Sequence, residues 1–316
     1  MADSSPRLIH TQGAPAPAGA TAEWLVRPGG ARLRLARFAP AGVARGSVVL
    51  SGGRTEPLEK YFEVIEELLA RGLAVLAHDW RGQGLSHRDA AAPPFLQLAG
   101  DLVALVAAHA ASLPRPRIAI GHSMGGCVTL LAQQEDPALF DGAALCAPMF
   151  GIELGSVPVQ AARAAARTQL LAGRGAQVVR KGEPSDRFEG NILTHDRARF
   201  ERHRAQLAAC PDLELGAPTW GWLDAAFTAI ALVTRPERLR RVTAPVTIVC
   251  AQLDSVVDRA AQRRAAHVLP RGRLVEVPGA FHEVLMETDE RRAHFWWAFD
   301  DLLLSARRGD GAGAPA

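Results

Sequence analysis

One pentapeptide constrains this chain more than any other stretch. Gly121-His122-Ser123-Met124-Gly125 has the form G-x-S-x-G and stands between two segments of different character. An apolar run, Arg117-Ile118-Ala119-Ile120, precedes it and reads as a buried strand. Gly126 to Ala132 follows and reads as a helix. A strand that passes into a helix across a single serine must turn sharply, as in a nucleophile elbow. The serine then sits in a strained conformation with its hydroxyl exposed, and its neighbours can carry little side chain. The helix after it aims its positive end at the same point, where developing negative charge is stabilised. Alone, the pattern also suits an ordinary tight turn. The flanking periodicity favours the nucleophile.

The rest of the chain supplies a sheet to hold such an elbow. Residues 46–50, 74–77, 117–120, 142–147, 245–251 and 272–277 read as short strands. Residues 58–71, 95–111, 259–269 and 289–304 between and after them read as helices, the first with Phe62, Ile65, Leu68 and Leu69 on its apolar face. Residues 31–38 alternate Arg and Leu, the pattern of an antiparallel, half-exposed strand. This succession predicts an α/β fold: a mostly parallel, doubly wound sheet covered on both faces.

The rhythm breaks in the middle. Residues 159–171, 197–209 and 219–234 have helical patterns, Pro158, Pro184, Pro211, Trp220 and Trp222 mark turns, and no strand is evident. The expected organisation is a core in two parts, 23–150 and 243–306, with a helical cap at 151–242. Such a cap lies over the carboxyl edge of the sheet, where open α/β sheets place their sites. A separate helical domain is the alternative. Residues 1–22 are rich in Ala, Pro, Gly and Ser and read as disordered; 307–316 read as a flexible tail.

Composition narrows the function. A net charge of +3 over 316 residues is small and argues against nucleic-acid binding. The arginines around 197–204 are interleaved with acids and read as solvated helix faces, with attraction to anionic lipid headgroups as a minor alternative. Cys127, Cys146, Cys210 and Cys250 have no C-x-x-C spacing, so free buried thiols in a reducing compartment are expected. The N-terminus has no apolar core of a secretory signal, and no apolar run reaches the length of a membrane span. The expectation is a cytoplasmic protein, with peripheral membrane contact left open and oligomeric state unassigned.

A nucleophilic serine needs a base within hydrogen-bond reach and an acid to orient that base. Asp254 follows the strand at 245–251, and His282 follows the strand at 272–277. Both therefore fall on the sheet edge that carries Ser123, in the chain order serine, acid, histidine. Asp258 is a rival to Asp254, but its position suits capping of the next helix. His122 is expected to pack or hydrogen-bond beside the elbow. His78 is a weaker candidate base, and His195, His203 and His294 read as surface residues. The backbone amides of Met124 and Arg54 are the candidate oxyanion donors, since the Gly52-Gly53 loop after the strand at 46–50 lets main chain approach a substrate. The Gly-rich turn Asp79 to Ser86 lacks the Lys-Ser/Thr of a phosphate cradle and is expected to shape the loop below the site. Trp220 and Trp222 either line an acyl pocket or pack the cap. No metal or cofactor is required.

Taken together, these residues make the chain resemble the α/β-hydrolase superfamily. Within it, the resemblance is to the lysophospholipase and monoacylglycerol lipase group, often catalogued with serine aminopeptidases. It runs from about residue 24 to 305. Its markers are Gly53-Arg54-Thr55-Glu56 with Glu59-Lys60-Tyr61, Asp79 to Ser86, Gly121 to Gly126, Pro218 to Trp222, and Phe281-His282-Glu283. The resemblance implies Ser123 as nucleophile, Asp254 as acid, His282 as base, and a helical cap that admits an acyl chain. Many relatives carry His-Gly where this chain has Gly52-Gly53, which resembles the bacterial lysophospholipase branch. A small-molecule acyl ester, with lysophospholipid ahead of monoacylglycerol or a small ester, is the expected substrate. A proline-releasing aminopeptidase would need acids in the cap for the free amine, and Glu183, Asp186 and Glu189 are placed for that. A non-enzymatic scaffold would be expected to lack a triad member.

Overall fold

The computed structural model describes residues 6–89, 91–179 and 187–309. Among them, one sheet is built from β1 (Thr21–Val26), β2 (Arg32–Phe38), β3 (Ser47–Ser51), β4 (Ala74–His78), β5 (Arg117–His122), β6 (Gly142–Cys146), β7 (Val246–Ala251) and β8 (Gly272–Val277). The strand order is β1-β2-β4-β3-β5-β6-β7-β8. β2 pairs antiparallel with β1 and β4, and all other neighbours are parallel.

Alternation along each strand sends successive side chains to opposite faces. Val48 and Leu50 of β3, with Ile118 and Ile120 of β5, meet α1 (Phe62–Ala70) and α9 (Asp289–Gly309). Val49 and Ala119 point the other way, into the layer of α2 (Phe95–Ala108), α3 (Met124–Glu135) and α8 (Arg259–Val268). Both faces are covered, which is why β3 to β7 tolerate near-continuous apolar sequence. The four cysteines are buried and free.

The segment between β6 and β7 holds α4 (Val159–Leu171), α5 (Arg197–Ala209), α6 (Trp220–Val233) and the short α7 (Pro236–Leu239). Local caps set two of these starts. Asp196 accepts from the Arg199 amide at 2.9 Å, and Thr219 accepts from the Trp222 amide at 3.2 Å. Ala226, Ala229 and Val233 of α6 join the same apolar layer as α3. α4 packs on α6 and, apart from Ala166, keeps its side chains at least partly exposed.

Four expectations are corrected here. Residues 6–22 do not read as disordered in the structure. Ile9 donates its amide to Glu59 at 3.0 Å, Arg34 donates to the Arg7 carbonyl at 2.9 Å, Ala14 is buried, and Thr21–Val26 forms β1. The segment is held by backbone groups on buried charges, which its composition does not reveal. Residues 1–5 lie outside the described residues. The tail reading fails over 307–309, because α9 continues to Gly309; residues 310–316 are not described. The helix expected from 58 begins instead with a 3-10 turn, Leu58–Tyr61, whose four side chains are all buried.

The fourth correction concerns β2. Its alternating arginines imply a solvated face, yet the strand is flanked on both sides and Arg34 is fully buried. The Arg34 guanidinium forks onto Glu59 through two 2.7 Å bonds and reaches Asp79 at 2.7 Å. Burial works against its charge, but Asp79 and Glu59 outweigh burial and hold the cation above its ordinary range. Arg34→Met strands two buried carboxylates without a counter-ion. Unfolding free energy should drop by about 3–5 kcal/mol, read from the urea midpoint. A loss below about 1 kcal/mol would mean that the carboxylates find other compensation.

Candidate active site

β5 ends at His122, and α3 begins at Met124, so Ser123 alone makes the turn. Its backbone lies at φ 51° and ψ −117°, a region that L residues seldom occupy. The turn is held from both sides: the Ser123 amide donates to Cys146 at 3.0 Å, and the Met149 amide donates to Ser123 at 2.9 Å. The flanking glycines answer to close approach. A Cβ on Gly125 would lie 2.3 Å from the Ser51 carbonyl oxygen and 2.4 Å from that of Gly52. α3 is thereby pressed against the loop after β3.

The sheet brings the other candidates to the same edge. His282 Nε2 lies 3.0 Å from Ser123 Oγ, and His282 Nδ1 lies 2.7 Å from Asp254 Oδ2. The other Asp254 oxygen accepts from the Val256 and Val257 amides at 2.8 and 3.1 Å. Burial pushes the Asp254 carboxyl up, but the His282 ring and these two amides outweigh it and leave the acid below its ordinary range. Asp258 caps α8 through the Ala261 amide at 3.0 Å, while the His282 ring bonds Asp254. His78 is buried against Ser51 at 3.1 Å, and burial holds it down to about 4.

The loop after β3, which carries the candidate donor Arg54, is tied at several points. Gly53 donates its amide to Glu56, and Thr55 donates its amide to Gln83 at 2.8 Å. The Gly52 carbonyl accepts from the Trp80 indole at 2.8 Å. Gln83 also contacts Met124 Sδ at 3.5 Å, so the turn from Asp79 to Ser86 buttresses both the loop and the elbow. That turn wraps the Asp79 carboxylate, which accepts from the Leu85 and Leu58 amides at 2.8 and 3.0 Å.

Of the two cap tryptophans, Trp222 reaches this region. Its ring lies 5.3 Å beneath the Arg54 guanidinium and 6.1 Å from Phe95. Arg54 also donates to the Gly216 carbonyl, so the loop after β3 and the segment between β6 and β7 are joined through one side chain. Trp220 is partly buried, and its amide donates to Gln177 at 3.0 Å. Glu189 is exposed and paired with Arg197, whereas Glu183 and Asp186 lie outside the described residues.

Residue-by-residue reading misses a buried polar cluster behind the elbow. His122 Nδ1 lies 2.9 Å from Glu56, which also accepts from Lys60 at 2.7 Å and Tyr61 at 2.6 Å. Lys60 donates in turn to Glu283 at 2.6 Å. The i, i+4 spacing of Glu56 and Lys60 was the available signal, but local sequence does not tell a buried pair from a solvated one. A second missed group is Glu287, which accepts from the Phe281 amide at 2.8 Å and from His195 at 2.7 Å. His195 stacks on Phe281 with ring centres 3.9 Å apart. His203, expected on the surface, has its Nδ1 buried. α5 turns it inward, toward Lys60 and Glu56.

The family model described as serine aminopeptidase, S33, matches residues 42–289. Lysophospholipase L2 of Escherichia coli is 32% identical over 265 residues, covering 78% of this chain and 76% of that protein. A monoacylglycerol lipase of Mycolicibacterium smegmatis is 27% identical over 275 residues, covering 83% and 90%. Among solved structures, a soluble variant of Saccharomyces cerevisiae monoglyceride lipase superimposes with TM-score 0.71 at 18% identity, covering 92% of this chain and 97% of that one. The Paleococcus ferrophilus monoacylglycerol lipase gives the same score at 20% identity, covering 86% and 98%. The sheet order, the serine elbow and the length of the family match agree, and this chain belongs to the serine aminopeptidase, S33, family on the α/β-hydrolase fold.

Proposed function

We propose that this protein hydrolyses carboxylic esters of monoacyl lipids, with lysophospholipid as the substrate class. One observation carries the reading: the unbroken hydrogen-bonded line from Ser123 through His282 to Asp254 at the sheet edge. The names of the relatives support the substrate class. In the proposed reaction Ser123 Oγ attacks the ester carbonyl while His282 Nε2 takes its proton. Asp254 holds the imidazole with Nδ1–H toward itself and stabilises the imidazolium that forms. The amides of Met124 and Arg54 receive the oxyanion. The glycerol-bearing alcohol leaves with a proton from His282, and water then attacks the acyl-enzyme with His282 again as base.

Trp220 and Trp222 are assigned to the acyl side of the cleft. Peripheral membrane contact is assigned to α4 and its flanks. Val157 and Leu171 are 51% and 74% exposed, and residues 154–179 contain Arg163, Arg167 and Arg174 but no acid. Such a surface suits anionic headgroups. Among the described residues, no helix is long and apolar enough to cross a membrane.

A substrate panel tests this reading. Lysophospholipids and monoacylglycerols of increasing chain length should be cleaved with kcat/KM rising by up to about 0.8 kcal/mol per buried methylene. Activity should also rise when the substrate is presented in anionic rather than zwitterionic vesicles. Faster cleavage of an N-terminal proline amide than of any ester would overturn the assignment.

A further inference from the structure

The proton relay leaves one buried charged cluster unused. Glu56 lies at its centre, accepting from the Gly53 amide, from Tyr61 at 2.6 Å and from Lys60 at 2.7 Å. His122 sits between two acceptors. Its Nδ1 is 2.9 Å from the Glu56 carboxylate, and its Nε2 is 3.3 Å from the backbone carbonyl of His282. Neither partner has a proton to offer, so an imidazole that bonds both must donate from both nitrogens. Only the imidazolium does so.

Charge counting gives the same answer. The groups facing His122 from the loop and turn after β3 are Glu56, Lys60 and Tyr61; those from the loop after β8 are Glu283 and His282. Cys146 of β6 and His203 of α5 complete the surroundings of Glu56. Burial pushes the Cys146 thiol up and holds His203 down to about 3, so both stay neutral. Burial also keeps Tyr61 protonated. Glu56 and Glu283 then carry two negative charges against one on Lys60. A protonated His122 closes the balance, which a buried cluster requires. Burial works against that charge, but Glu56 and Glu283 outweigh burial and Lys60 and raise His122 above its ordinary range. Burial likewise pushes Glu56 up, and His122 with Lys60 reverses this and holds it well below the carboxylate range.

We propose that His122 is held as an imidazolium and that Glu56 and His122 together are positioning residues for the reaction. The pair ties the oxyanion loop, through Gly53, to the main chain of His282. One buried ion pair thus sets the spacing between the oxyanion donors and the base. This rests on the assignment of Ser123, His282 and Asp254 above. The pH consequence has a definite sign. The His122 charge is present at neutral pH and is lost as pH rises through its raised value, while the depressed Glu56 keeps its charge far into acid. The positioning therefore fails on the alkaline side, as a fall in kcat with little change in KM.

Two measurements on the full chain test it. Ester-hydrolysis profiles against pH should show that Glu56→Gln and His122→Gln each lower kcat by up to about 100-fold with KM nearly unchanged. Each should also lose the alkaline limb of the wild type. Unchanged kcat in a folded Glu56→Gln protein overturns the positioning role. Nitrogen-15 NMR of histidine-labelled wild type, with His122 identified by the signals missing in His122→Gln, should show both ring nitrogens protonated at neutral pH. A bare ring nitrogen there overturns the imidazolium, and this readout stands even if Glu56→Gln does not fold. If the wild type cleaves no ester, the underlying assignment and the positioning role fail together, and NMR still decides the charge.

Discussion

Ser123→Ala should lower kcat for ester hydrolysis by about a million-fold while leaving the fold intact. The Ser123 hydroxyl bonds His282 at 3.0 Å. Its structural ties run through the main chain, to Cys146 and Met149, and alanine keeps them. The strained φ of 51° is also unchanged, since alanine gains no relief there that serine lacked. Loss of activity without loss of stability is therefore the expected signature. The oxyanion donors and substrate binding should leave about a thousand-fold residual acceleration over water. A loss below about tenfold, or unaltered labelling by a fluorophosphonate probe, would remove Ser123 from the role of nucleophile.

The second large effect is expected at Asp254. Asp254→Asn should reduce kcat by about 10⁴. One Asp254 oxygen accepts from two amides, Val256 and Val257, so the asparagine oxygen must take that side. Its NH2 group is then turned toward His282 Nδ1, where the carboxylate oxygen now lies at 2.7 Å. A donor there forces Nδ1 to accept and moves the ring proton to Nε2. Nε2–H facing Ser123 has no lone pair to take the serine proton. Steady-state kinetics on a soluble ester would read the loss, and a fall under about tenfold would show that Asp254 does not set the tautomer. The depressed acidity of Asp254 also contributes stability, present above the ordinary carboxylate range and lost as pH falls through its lowered value.

The elements around the site were legible because their signals are local. The ranges 159–171, 197–209 and 272–277 coincide with α4, α5 and β8, where periodicity ends at clear caps or turns. The positions of Ser123, Asp254 and His282 past strand ends were legible for the same reason. β1 was not, because Thr21–Val26 earns its place by pairing with β2 and not by its own apolar pattern. Arg34 was misread because alternation of charge resembles a solvent face until Glu59 and Asp79 are brought against it.

Sequence by itself determined the strand-serine-helix elbow, the order of the candidate triad and the mostly parallel sheet. These depend on period, chain direction and side-chain size over a few residues. Tertiary structure decided what His122 touches, which carboxylates are buried beside Arg34 and Lys60, and how Glu56 links the Gly52-Gly53 loop to the loop of His282. Those partners lie up to 223 residues apart, between Lys60 and Glu283. The energy of a charge depends on its burial and on its nearest opposite charge, and neither is a property of the residues beside it in the chain.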